Sequence, residues 1–124
     1  MNNKNIDVFE TIFNSLKKIL MKYEKKLTVI SDKPQNYNLN AGYDEKRKAD
    51  IYFGGVVINK NYVSYHLMPV YVNPKLLDDI SPELKKRMQG KSCFNFKSID
   101  KNLFNELSIL TEKGYEFYRK NEML

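Results

Sequence analysis

The residues best suited to chemistry in this chain are its one histidine, His66, and its one cysteine, Cys93. A thiol and an imidazole could form a nucleophilic pair, in which His66 acts as the base and the nearby Lys91 lowers the pKa of the thiol. A partly buried cysteine is more often a packing residue, and so is a histidine on an aromatic-rich strand. We therefore predict no catalytic residue, and the sequence favours a protein that is not an enzyme.

A metal site would need more ligands than these two residues supply. Soft and borderline metals take three or four His or Cys ligands, and hard cations take clustered carboxylates. Each carboxylate pair falls where a solvated charge or a helix signal is expected; the pairs are Asp44–Glu45, Asp78–Asp79 and Glu112–Glu116. The sequence therefore predicts no metal site and no cofactor.

The basic balance of the chain, with a net charge of +6, raises the question of a nucleic-acid partner. Basic residues are densest from Lys85 to Lys101, where Phe94 and Phe96 are interleaved as in single-strand nucleic-acid surfaces. Only three arginines are present, however, and the arginine fork is the group that binds phosphates and base edges bidentately. The sequence disfavours nucleic acid, and weak binding through residues 85–101 stays as an alternative.

Length and composition predict one domain over residues 1–124. Hydrophobic residues make up 42% of the chain and charged residues 29%, which is typical of globular proteins. No apolar stretch approaches the ~20 residues of a membrane span, and the first residues contain no apolar signal segment. The single cysteine excludes an internal disulfide. These features predict a cytoplasmic protein without a membrane partner.

Hydrophobic periodicity and turn residues predict the order of the elements. The predicted helices are Ile6 to Lys26, a short helix capped by Ser81 that ends near Gln89 with Gly90 as its C-terminal cap, and a final helix from Asp100 to Lys120. The predicted strands are Leu27–Ser31, Tyr37–Tyr43, Ile51–Ile58, Tyr62–Met68 and Ser92–Lys97. The order α-β-β-β-β-α-β-α predicts an α+β two-layer sandwich, with an antiparallel sheet of about five strands and helices on one face.

The central hairpin is predicted to be apolar on both of its faces. Strict alternation gives one face with Ile51, Phe53 and Val57 and another with Tyr52, Val56 and Ile58. An antiparallel sheet with one solvated face would alternate more cleanly. Three covers for the second face stay open: the connection from Pro69 to Pro82, a second copy of the chain in a homodimer, or a bound ligand.

Three stretches of the sequence resemble the YdhG-like family of small bacterial domains, most of which have no known function. They are Phe53-Gly54-Gly55, the strand from Tyr62 to Pro69, and the segment from Leu84 to Phe96. The resemblance covers roughly residues 6–120 and implies a two-layer domain with an antiparallel sheet. One branch of the family is described as a frataxin-like iron chaperone, so the resemblance implies that role as an alternative, and it carries over no catalytic residue.

We therefore expect a binding or chaperone-like domain that uses the second face of its sheet for a small ligand or a protein partner. The residues expected to line or flank this face are Tyr65, His66, Arg87, Lys91, Cys93 and Asn95. Arg87 and Lys91 would supply positive charge for an anionic ligand or an acidic partner. The expectation depends on the doubly apolar hairpin and on the basic segment beside it.

Overall fold

The computed structural model describes the backbone of residues 3–124 and the side chains of residues 8–124. Within that range the α-helices are α1 (Asn3–Met21), α2 (Met68–Val72), α3 (Pro82–Lys85) and α4 (Lys101–Lys120), and Pro74–Leu77 forms a 3-10 helix. The strands are β1 (Thr28–Lys33), β2 (Asn36–Asp44), β3 (Ala49–Ile58), β4 (Val63–Leu67), β5 (Met88–Gln89) and β6 (Cys93–Phe96). The predicted α+β class and element order are confirmed, with six strands in place of about five.

The two long helices form where the apolar spacing predicts them. In α1 the side chains of Ile12, Leu16 and Leu20 are buried on one face at intervals of four residues. This helix ends at Met21 and not at Lys26, because residues 22–26 form turns. At the start of α4, Asp100 Oδ1 accepts a hydrogen bond of 3.1 Å from the Leu103 backbone N–H, which confirms the predicted cap. None of the described helices is long and apolar enough to cross a membrane.

The sheet is antiparallel throughout, in the order β1-β2-β3-β4-β6-β5. The helices α1 and α4 pack against one face of it, which we call the inner face. Phe53 of β3 contacts the ring of Tyr118 of α4 edge to face, with the ring centroids 5.7 Å apart. In β4 the Tyr65 hydroxyl lies 2.7 Å from the Thr111 hydroxyl of α4. The core is therefore closed between the inner face and the helices.

A β-bulge at Phe53 corrects the prediction of a doubly apolar hairpin. Gly54 pairs with Leu39 of β2, whereas Tyr52 pairs with the next residue, Asn40, so Phe53 is an extra residue in β3. A bulge shifts the alternation of side chains by one position. The side chains of Phe53 and Val56 are consequently both buried on the inner face, although strict alternation places them on opposite faces.

Two local predictions between β4 and β6 were incomplete. The connection from Pro69 to Pro82, where no helix was predicted before Ser81, contains most of α2 and the 3-10 helix. Helix α3 ends at Lys85 and not near Gln89, because Met88 and Gln89 pair with Phe94 and Cys93 as strand β5. Gly90 is therefore not a helix cap. It has a φ of +74° in the turn that joins β5 to β6, where glycine adopts the left-handed conformation without strain.

Gly114 of α4 lies where α4 and α2 approach each other closely. A Cβ atom at this position of α4 would lie 2.9 Å from Pro69 Cβ of α2, closer than two carbon atoms pack. Glycine thus allows α2 to lie directly against α4 and fixes the connection to the helical layer. The roughly 1 kcal/mol that glycine costs within a helix is offset by this contact.

The position of Tyr65 on the inner face leads to a stability prediction. Tyr65→Phe removes the hydroxyl that meets Thr111 and should lower the free energy of unfolding by about 1 kcal/mol. The loss should shrink in a Thr111→Val background, where the partner hydroxyl is already absent. Denaturant unfolding of the four proteins of this cycle measures the effect. Equal stability of wild type and Tyr65→Phe would show that the hydroxyl has no partner in the core.

Candidate functional site

The face of the sheet opposite the helices, which we call the outer face, carries the best candidate site. From Asn36 to Asn40 in β2 and throughout β6, buried side chains alternate with half-buried ones that point to this face, and in β4 the half-buried His66 lies between the buried Tyr65 and Leu67. The outer-face residues are Asn36, Asn38, Asn40, Tyr52, Gly55, Val57, Ser64, His66, Gln89, Cys93 and Asn95. None of these residues is charged, and most of them can both donate and accept hydrogen bonds. Charged side chains flank them on the same face, because Lys33 of the edge strand β1 pairs with Asn36 and Asp50 lies two positions before Tyr52 in β3.

Strand pairing brings these residues into two rows across the sheet. The first row runs from Asn38 through Gly55, His66 and Cys93 to Gln89, and thus crosses five strands. A second row connects Asn36, Val57, Ser64 and Asn95. The bulge at Phe53 contributes to this arrangement, because it returns Gly55 and Val57 to the same face as Tyr52.

At the β2–β3 end of the outer face, hydrogen bonds connect side chains along and between the strands. The Tyr52 hydroxyl donates to Asn38 Oδ1, and Asn38 Nδ2 donates to Asn36 Oδ1. Both the Tyr52 hydroxyl and Asn38 Oδ1 occupy the space that a Cβ atom of Gly55 would need. Glycine at position 55 therefore lets the Tyr52 side chain lie across its own strand, where the hydroxyl reaches Asn38 of β2.

His66 and Cys93 meet at the centre of the outer face. Their strands place them directly opposite each other, and Cys93 Sγ lies 3.0 Å from His66 Nδ1. Burial lowers the pKa of the His66 imidazole and raises the pKa of the Cys93 thiol. Burial also raises the pKa of the Tyr52 phenol, with the negative charge of a Cys93 thiolate as the smaller cause. All three groups are consequently neutral at neutral pH.

A second chain of hydrogen bonds crosses to the edge strand β5. Ser64 Oγ donates to Asn95 Oδ1, and Asn95 Nδ2 donates to Gln89 Oε1 over 2.7 Å. The amide groups are therefore oriented by one another before any ligand binds. Such an oriented, neutral set of donors and acceptors can bind a polar partner, whereas it lacks the thiolate–imidazolium pair that strong thiol nucleophiles use.

Three of the six predicted site residues lie on this face, namely His66, Cys93 and Asn95. The prediction that Tyr65 lines it is wrong, because Tyr65 is fully buried on the inner face. Adjacent residues of a regular strand point to opposite faces, so Tyr65 and His66 cannot both face outward.

Arg87 and Lys91 lie beside the outer face and not within it. The Arg87 carbonyl accepts a 2.8 Å hydrogen bond from the Asn95 backbone N–H, and its exposed side chain lines a separate cavity of about 270 Å³ with Phe96 and Leu103. Lys91 follows Gly90 in the β5–β6 turn, and its Nζ lies 5.9 Å from the centre of the Tyr71 ring. The two cations therefore occupy different parts of the sheet edge.

Sequence reasoning missed Tyr52, Asn38, Ser64 and Gln89 as residues of this site. One available signal was the alternation of Asn36, Asn38 and Asn40 with apolar residues, which marks a wet strand face. The other was the pair Gly54-Gly55, because a glycine next to polar strands often marks a bulge or a side chain crossing the strand.

Comparisons with known proteins identified no relative of this chain. No family model, curated protein or solved structure matches the chain. Among the described residues, no group of three or more His, Cys, Asp or Glu side chains is arranged to hold a metal ion.

The pKa of His66 gives a prediction for acidic pH. Folding lowers this pKa below its ordinary value of 6.5, so the unfolded chain binds the proton first as the pH falls. The free energy of unfolding should therefore decrease on acidification from pH 6.5, and it should decrease less in His66→Gln. NMR titration of the single imidazole, together with denaturant unfolding of both proteins, measures this. A midpoint at or above 6.5 would contradict the neutral, half-buried imidazole.

Cys93 should react slowly with alkylating agents. Burial raises its pKa, so the thiolate fraction at neutral pH is smaller than that of free cysteine. We expect iodoacetamide, followed by mass spectrometry, to modify the native protein more slowly than free cysteine and the unfolded protein at the free-cysteine rate. A native rate well above that of free cysteine would instead indicate a thiolate paired with protonated His66.

Proposed function

We propose that the protein is a non-enzymatic binding domain whose outer face recognises a protein partner. The observation that carries this proposal is the absence of charged side chains from the centre of the outer face, between Lys33 and Asp50 at one margin and strand β5 at the other, in a chain with 29% charged residues. Charged side chains are normally found at solvent-exposed positions, and they are depleted at the centres of protein interfaces. A neutral face oriented by its own hydrogen bonds is better explained by contact with a partner than by solvation.

The extent of the outer face favours a protein over a small ligand. Adjacent strands lie about 4.8 Å apart, so the row from Asn38 to Gln89 extends over about 19 Å. The second row lies beside the first, and it widens the surface by the distance between Ser64 and His66 along β4. The two rows, about 7 Å apart, cover the centre of the roughly 800 Å² that each partner contributes to a typical protein interface, so neighbouring residues would have to supply the rim. A small molecule would contact only one part of it.

The chemistry of the outer face also constrains the partner. Asparagine, glutamine and serine side chains both donate and accept, so the partner surface should be polar and uncharged at its centre. A second copy of this chain satisfies that condition, which makes a homodimer one form of the proposed interaction. Arg87 and Lys91, both exposed at the β5 side, would favour acidic groups at the rim of the partner.

The alternative functions predicted from the sequence are not supported by a specific contact. For nucleic acid, the side chains of Phe94 and Phe96 are buried in the core and cannot stack with bases. The role of iron chaperone is implied by the resemblance to the YdhG-like family alone, and that resemblance stays a prediction. The proposed interface on the outer face requires neither nucleic acid nor iron.

The proposal predicts the effect of placing a charge on the outer face. Asn40→Lys puts an ammonium group beside Tyr52, where a bound partner would have to desolvate it, and should weaken partner binding at least about tenfold. The partner would be captured on the immobilised protein, identified by mass spectrometry and titrated by calorimetry. Sedimentation of the purified protein tests the homodimer in parallel.

A matched control is available on the other side of the molecule. Asn105 is exposed on α4, so Asn105→Lys makes the same chemical change away from the outer face and should leave binding unchanged. Thermal unfolding of both variants shows that they are folded. Equal partner binding and equal association state for Asn40→Lys and wild type would exclude the outer face as the recognition surface.

A further inference from the structure

A groove separate from the outer face lies beside the edge strand β5. It is formed by α2 and the 3-10 helix on one side and by the β5–β6 hairpin on the other. The lining residues are Val70, Tyr71, Pro74, Leu77, Met88, Gly90 and Lys91, and the volume is about 520 Å³. Small-molecule sites in proteins fall in the range of roughly 300–1,000 Å³, so the groove has the size of a ligand site.

The body of the groove is apolar. Val70 is fully buried at its base, and Leu77 and Met88 are partly buried against the core. Tyr71, in contrast, is 54% exposed, so much of its ring is in contact with water. Covering such apolar surface stabilises a complex by about 25 cal/mol for each Å² removed from water. The groove therefore favours a ligand with an apolar body that packs on the Tyr71 ring.

The groove contains one positively charged side chain. Lys91 is the single charged residue of the lining, and its Nζ lies 5.9 Å from the centre of the Tyr71 ring. In the part of the chain described with side chains, the ion pairs involve other residues, and Lys91 belongs to none of them. An anionic group on a ligand would therefore meet an unneutralised ammonium group directly beside the apolar surface.

We propose that this groove binds a small amphipathic monoanion, such as an alkyl or aryl carboxylate, with its acid group on Lys91 and its apolar body on Tyr71. Charge complementarity assigns the anion, because the lining holds one positive and no negative side chain. The apolar side chains argue against a peptide, since its amide groups would lose water without gaining hydrogen-bond partners. The proposal does not depend on the outer face being a recognition surface.

The test uses anilinonaphthalene sulfonate, a fluorescent amphipathic anion, as the probe. We expect saturable fluorescence enhancement with the unaltered chain of 124 residues. Affinity should decrease between about 0.01 M and about 1 M ionic strength, where the screening length falls from ~30 Å to ~3 Å. Lys91→Met keeps an apolar side chain of similar length and should weaken probe binding about tenfold. Tyr71→Ala should weaken it as well, through lost apolar contact.

The matched control is Lys97→Met, which removes an exposed lysine outside the groove and should leave the affinity for the probe unchanged. Decanoate, an alkyl carboxylate, should displace the probe competitively from the wild-type protein. Thermal unfolding of every variant confirms that it is folded, so that weaker binding is not a result of unfolding. Titration at two protein concentrations tests for a second copy in the groove, because self-association would reduce the probe capacity.

Several outcomes would overturn the proposal. They are the absence of saturable binding, an equal effect of Lys91→Met and Lys97→Met, and a loss of probe capacity at high protein concentration. Displacement of the probe by a short acidic peptide with one phenylalanine, but not by decanoate, would also overturn it, because that result would assign the groove to a protein partner.

Discussion

The β-bulge at Phe53 is the constraint on which the rest of the structure depends. It adds one residue to β3 opposite Leu39 and Asn40, and it thereby keeps both Phe53 and Val56 on the inner face. Without it, the second half of β3 would present Val56 to the outer face and turn Val57 into the core. The bulge therefore lets three neighbouring strands share one buried apolar face, and it leaves the opposite face to amides, hydroxyls, an imidazole and a thiol.

The neutrality of the outer face follows from burial and not from charge pairing. His66 and Cys93 lie opposite each other, and burial disfavours the charged form of both side chains. Hydrogen bonds orient Asn38 and Asn95 on either side of this pair. The centre of such a surface loses little free energy when water is removed, because it carries no charge to desolvate and the amides of Asn38 and Asn95 are already partnered. These properties suit recognition better than nucleophilic catalysis.

Local signals were sufficient to predict the long elements. The apolar spacing of α1 and the Asp100 cap of α4 depend on neighbouring residues only, and both predictions are confirmed. The bulge at Phe53 depends on pairing with β2, and strand β5 depends on pairing with β6, so neither is encoded in its own segment. For the site, His66, Cys93 and Asn95 were predictable as polar residues of strands. Tyr52 was not predictable as a site residue. Strict alternation from Ile51 places it on one face with Val56 and Ile58, and it places Gly55 on the opposite face.

The exposure of Val56 and Val57 tests the central claim most directly, because the two residues are adjacent and the bulge decides which of them is buried. In NMR spectra with methyl-labelled valine, a soluble paramagnetic gadolinium chelate relaxes methyl groups in proportion to their exposure to solvent. The structure predicts strong relaxation of the half-buried Val57 methyl groups and protection of those of the fully buried Val56. Protected Val57 and strongly relaxed Val56 would show a strand without the bulge and contradict the account.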